Sequence, residues 1–447
     1  MDWVNFGLLL YDHIALYLVI LAVSVLLYIF LFRSLYLSVL DPLVFALLFS
    51  VFGFSVVWFL YFTHSMDTIY LVSYLLTQIA FWAGLFTFKS LRKSSIIREY
   101  PSVTFAHQQL FEVVFFTTSS LLYMVLQLLS YRVIGIPLLL GTHIDLYSNS
   151  GGWGILGRVL DVIKPCSIFM LIYFLFKKGV TLSMRLYTWF FLIAVVVFFV
   201  LSGSKGEFML LGFLIFCFLL LNGAQLKNQF LRIRRLEVIL LLAGLGVAFL
   251  TIIVQSTQDD SSLNQFLFRL VASGDTYYFS YPNHNIEHVN GSQPFFALFG
   301  DIFSTLRIVP RENQPVILGV QLFRMFSDLD ITAGPNARQN VFGYVYFGFW
   351  GSIVFSYVIG FTLSLIRNKA FFNLRKNLFG QLAFVFFYLN FSGVETDPPM
   401  AISNLENVML IFPALLFICF FLFILLVKIP QQQGFKSQAG LKISGNG

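Results

Sequence analysis

Basic side chains set beside glycine recur in this chain, and that pairing is what binding an anion requires. In Gly203-Ser204-Lys205-Gly206-Glu207 the glycines permit a tight turn, the next helix starts with free N–H groups, and Lys205 adds positive charge. An ordinary interhelical turn with a lysine reaching for the interface would read the same way. Glu207 suits a helix N-terminus and is also a candidate proton acceptor. Arg269, between Phe268 and Leu270, precedes Ser273-Gly274-Asp275-Thr276-Tyr277-Tyr278. There Asp275 fits either a helix cap or a general base, and Tyr277, Tyr278 and Tyr281 offer aromatic faces on which sugar rings stack. Gly334-Pro335-Asn336-Ala337-Arg338 runs into the span Gly343–Gly351. The planar guanidinium of Arg338 grips phosphate at two points, as no lysine can.

Other patterns argue for less. Asp328-Leu329-Asp330 has the spacing of a metal-binding carboxylate pair, and His284-Asn285-Ile286-Glu287-His288 matches H-x-x-E-H formally. The latter needs a helix to bring both imidazoles to one face, and Pro282, Asn283 and Asn285 are poor helix context. No metal or cofactor is expected. His284 or His288 could serve as a base near neutral pH. Gly135–Arg158 is too polar and too rich in glycine to cross a membrane. Glu395, Asp397 and Glu406 read as a solvated acidic turn.

The elements that must position these groups are apolar. Hydrophobic residues make up 58% and charged residues 11% of the chain. A soluble domain carries about 25% charge, so an all-α, polytopic membrane bundle is expected. About 20 apolar residues cross the hydrocarbon core. Candidate spans are 10–32, 42–63, 68–88, 108–130, 159–176, 186–202, 207–222, 238–256, 341–366, 381–395 and 406–428. They form one domain over 1–430, interrupted by a long polar loop at 257–340 and followed by a tail, 431–447, expected to be disordered. Most of the 28 basic residues fall in alternate loops, from Arg33 to Lys442. Those loops are cytoplasmic by the positive-inside rule, which places the N-terminus outside and the C-terminus inside. Arg132, Arg158, Lys164, Lys205, Arg269, Arg307, Arg311, Arg324 and Arg338 fall on the opposite side. Topology does not require them there, and anion binding does. The three cysteines, Cys166, Cys217 and Cys419, lie in or beside spans and offer neither a disulfide framework nor zinc spacing. The basic residues are scattered over short loops, which argues against nucleic acid. No inverted repeat of the kind that builds many transporters is visible.

The order of these parts resembles the Wzy-type O-antigen, or oligosaccharide repeat unit, polymerases. A Gly-Ile-Pro-Leu-Leu-Leu loop precedes glycine- and arginine-bearing residues. A Gly-Ser-Lys-Gly turn, a long outer loop ending in Gly-Pro-Asn-Ala-Arg, and the glycine/aromatic span Gly343–Gly351 then follow. The likeness covers roughly residues 130–365. It implies a GT-C-like glycosyltransferase of the bacterial inner membrane that joins oligosaccharides carried on undecaprenyl diphosphate, without nucleotide sugar or metal. Its partners would be those lipid-linked units, membrane lipids and a chain-length regulator. It implies that Arg338 and Arg269, with Lys205, Arg158 and Arg311, hold the diphosphate, and that Asp275, Glu207 or His288, in that order, accepts the proton. Lys205 departs from the family's pattern, where arginine follows Gly-Ser, which weakens two-point gripping at that turn. An O-antigen ligase shares the scaffold and donor. A flippase would instead need charges facing a central path through the spans.

Overall fold

A computed structural model of the chain describes residues 1–98, 107–140, 154–228, 271–310, 314–327 and 334–439. Among these residues every regular element is helical, and eight helices are long and apolar enough to cross a membrane. In order, the bundle uses α1 (Trp3–Asp12), α2 (Ile14–Phe32), α3 (Pro42–Phe62), α4 (Thr68–Leu85), α5 (Gln108–Val133), α6 (Gly154–Phe176), α7 (Leu182–Ser202) and α8 (Lys205–Leu221). The long loop contributes α9 (Asp275–Ser280), α10 (Pro294–Thr305) and α11 (Leu318–Arg324), followed by α12 (Gln339–Ser364), α13 (Leu378–Ser392) and α14 (Pro398–Ala439). α8 and α13 are shorter apolar helices. The expected span 238–256 lies outside the described residues.

Local chemistry sets several boundaries. Asp41 accepts the Leu43 N–H at 3.2 Å, and Pro42 takes the first helical position of α3. Asn377 caps α13 through the Gly380 N–H at 2.7 Å. The first expected span is broken at His13, which separates α1 from α2. The last helix runs on to Ala439, past the Pro430 boundary expected for the tail. Gln431, Gln432 and Gln433 are good helix formers, so the chain continues the helix it is already in.

The largest departure from expectation lies in α12. One span is expected at 341–366, but Gly348 sits at φ 70°, ψ −177°, a conformation closed to other residues, and the chain reverses there. Gly343 lies against Ser352, and the Phe342 and Phe355 ring centroids are 5.6 Å apart. In a straight helix residues 343 and 352 would be roughly 13 Å apart. Residues 339–347 therefore form a half-helix, and 349–364 fold back along it. Both halves pack on α4: Asn340 meets Thr77 and Gln78, Tyr344 meets Tyr70, and Gly360 meets Phe81. Gly84 and Gly360 let the backbones of α4 and α12 touch, since a Cβ on either would collide with a carbonyl of the other helix.

A second departure concerns Arg367, counted from sequence as a loop charge. It is 1% exposed, and its Nη2 pairs with Asp41 Oδ2 at 2.6 Å. Tyr388 donates to the other Asp41 oxygen and accepts from Arg367 Nε. Arg367 lies in a π-helical stretch, Leu365–Ala370, that follows α12. Arg375 is buried as well.

Candidate functional site

Arg338 is the residue around which the site is built. It caps the half-helix 339–347, with its carbonyl accepting the Phe342 N–H at 2.8 Å. The next residue, Gln339, donates its N–H to the Glu395 carbonyl at 3.1 Å. That helix end lies deep in the bundle. Asn340 bonds Thr77 and Gln78, near the middle of α4, and a Cβ on Gly53, near the middle of α3, would come within van der Waals range of the Arg338 guanidinium. A helix N-terminus in the interior concentrates unpaired N–H groups and partial positive charge.

Arg338 is 2% exposed. One nitrogen donates to the Ser273 carbonyl, and Nε has no hydrogen-bond partner. Arg338 borders a cavity of about 540 Å3. One wall is the apolar stripe Pro42, Phe45, Ala46 and Phe49 of α3, backed by Phe213 of α8. The lining also includes Asp397, just before α14, with Met400, Ala401 and Asn404 on α14 and Asn390 from α13.

Asp275, Glu395 and Asp397 all feel the charge of Arg338, yet none forms an ion pair with it. Burial pushes the Asp275 carboxyl up to about 6, against the pull of Arg338 and the Thr276 N–H. Burial raises Glu395 too, opposed by hydrogen bonds from Ser50 and Gln78. Gln78 donates to Glu395 Oε1 at 2.8 Å, and Ser50 donates to the same oxygen. Asn340 links this network to Tyr277, whose hydroxyl donates to it at 2.9 Å. Asp397 is raised by burial and steadied by the Met400 and Ala337 N–H groups. Of the three carboxylates, Asp397 alone borders the cavity. Its signal in the sequence was the Glu395–Asp397 turn, which reads as solvated but is buried or half-buried.

The other expected site residues separate from this centre. Arg158 is held by Asp301, with Nη2 to Oδ1 at 2.6 Å, and by Asn407 at 3.1 Å. Its charge is therefore already matched, and it ties α10 to α6 and α14. Glu207 pairs with Lys164 at 2.6 Å and does not border the Arg338 cavity. The backbone of Lys205 opens α8. Its side chain, like Arg269, Arg311 and the pair Asp328 and Asp330, lies outside what is described.

Tyr277, Tyr278 and Tyr281 are buried, with faces taken by other rings. Tyr278 stacks on Phe6 at 4.3 Å, Tyr281 on Tyr70 at 5.6 Å, and Tyr277 on Tyr281 at 5.7 Å. They wall the interior and present no open sugar platform. His288 is exposed and borders no part of the cavity. Asn283 and His284 have left-handed backbone, so the two histidines do not share a helix face. His284 instead bridges Asp67 at 3.2 Å and the Tyr70 hydroxyl at 2.8 Å.

The bundle and its apolar helices define a multi-pass helical membrane protein. No family model matches the chain, and comparison with curated proteins and with solved structures returned no match.

Proposed function

We propose that this protein is a membrane glycosyltransferase of the repeat-unit polymerase type. In this reading it transfers an oligosaccharide from undecaprenyl diphosphate to the sugar of a second lipid-linked unit. The observation that carries the reading is Arg338: a buried guanidinium at an interior helix N-terminus, with an unpaired Nε, beside a cavity that is apolar along α3. A diphosphate leaving group gains negative charge as its bond to the sugar breaks, and fixed cations in a low-dielectric site stabilise that charge. The apolar stripe suits a prenyl chain. In this reading Asp397, which borders the cavity, takes the proton of the acceptor hydroxyl in preference to Asp275, Glu207 or His288. The end of the bundle carrying the long loop faces the periplasm in this reading, the C-terminus faces the cytoplasm, and a chain-length regulator is the expected protein partner.

The test is a gel of surface polysaccharide from a deletion strain complemented with wild-type or variant protein. Collapse of the ladder to a single repeat unit, restored by wild type and not by Arg338→Ala, is the expected result. An intact ladder in the deletion strain refutes the reading. Complete loss of attached polysaccharide would replace it with a ligase.

A further inference from the structure

The cavity is bordered by amides that the fold leaves wholly or partly unused. Asp397, Met400, Ala401 and Asn404 follow one another at helical spacing, so one face of α14 is turned to the cavity. The Asn404 side chain makes no hydrogen bond among the described residues. Asn390 of α13 spends one amide hydrogen on the Phe386 carbonyl at 2.9 Å, and its oxygen bonds nothing else described. Both asparagines lie in apolar helices. An amide there is costly unless something in the cavity bonds it, and polar residues within membrane helices mark ligand paths.

We infer that Asn390 and Asn404 form a sugar subsite that reads the hydroxyl groups of an uncharged sugar attached directly to the diphosphate. Each amide both donates and accepts, which matches a hydroxyl and gives no advantage to an ion. Among the described residues, the ionisable groups bordering the cavity are Arg338 and Asp397. With Arg338 engaged by the diphosphate, Asp397 is left to repel a carboxylate-bearing sugar. This inference rests on the proposed reading of the cavity as a lipid-diphosphate site, and it adds which sugar sits next to the leaving group.

The test is binding to the purified full chain in nanodiscs, using three probes. They are bare undecaprenyl diphosphate, the same lipid carrying one N-acetylglucosamine, and the same lipid carrying one glucuronic acid. Wild type should bind the neutral glycolipid about tenfold more tightly than the bare lipid, the range of one or two well-made hydrogen bonds. The glucuronic acid probe should gain nothing. Asn404→Leu and Asn390→Leu should lose the neutral-sugar gain while still binding the bare lipid, which also reports that they fold. If the variants keep the gain, or if glucuronic acid binds as tightly as N-acetylglucosamine, the subsite is overturned and the diphosphate reading stands. If wild type fails to bind the bare lipid, both fall together.

Discussion

Arg338→Lys separates charge from geometry at the centre of the site. Native Arg338 is 2% exposed, gives one nitrogen to Ser273 and leaves Nε free beside the cavity. Lysine keeps the positive charge but offers one compact ammonium on a flexible stem. It can satisfy Ser273 or an incoming phosphate, and cannot grip a phosphate at two points. Water cannot readily replace the lost donor in a buried site. The expected loss is that of removing one preorganised donor to a developing anion, about 2.7–4 kcal/mol or roughly 10²–10³ in rate. Alanine is a less clean probe, because it also removes the hydrogen bond to the Ser273 carbonyl, at a cost of about 1–3 kcal/mol in stability. The assay is conversion of purified lipid-linked units to polymer, with variant abundance and monodispersity checked alongside. A lysine variant within a few-fold of wild type would show that two-point contact is not used. An alanine variant that polymerises normally would remove Arg338 from the mechanism.

Further expectations follow from the same geometry. Asn caps a helix as well as Asp, so Asp397→Asn should keep α14 in place yet slow transfer by about 10²-fold or more; an active, stable variant would exclude Asp397 as the base. The raised Asp275 carboxyl favours its protonated form in the fold, so its contribution to stability is greatest below pH 3.8 and is lost as pH rises through about 6. Thermal unfolding in detergent should therefore show wild type losing ground to Asp275→Asn over that window, and parallel curves would contradict the burial argument. Arg367→Leu leaves Asp41 buried without its cation and should cost about 3–5 kcal/mol, seen as a lowered unfolding temperature in the same assay. Asp301→Asn loosens the half-buried tie between α10 and α6, at about 1–3 kcal/mol, and should expose the α10 segment to protease without unfolding the bundle.

Hydropathy and loop charge were enough to read a polytopic helical bundle, and most expected spans have a helix near their limits. Caps were legible too: Asp41 with Pro42, and Asn377, act within a few residues of themselves. Arg338 also stood out in the sequence, because an arginine entering an apolar run has few inexpensive fates.

What the sequence could not convey is direction and partnership. A hydropathy window counts apolar residues and is blind to a single backbone angle, so 341–366 reads as one span although Gly348 turns the chain back on itself. That reversal is what sets a helix N-terminus, and Arg338 with it, in the interior. The matches of Arg158 with Asp301, Glu207 with Lys164 and Arg367 with Asp41 join residues far apart in the chain. A charge's value depends on whether an opposite charge stands beside it, and only packing decides that. The same holds for Glu395 and Asp397: a polar turn in sequence becomes buried or half-buried once α13 and α14 close around it, because burial is a property of neighbours and not of the residue.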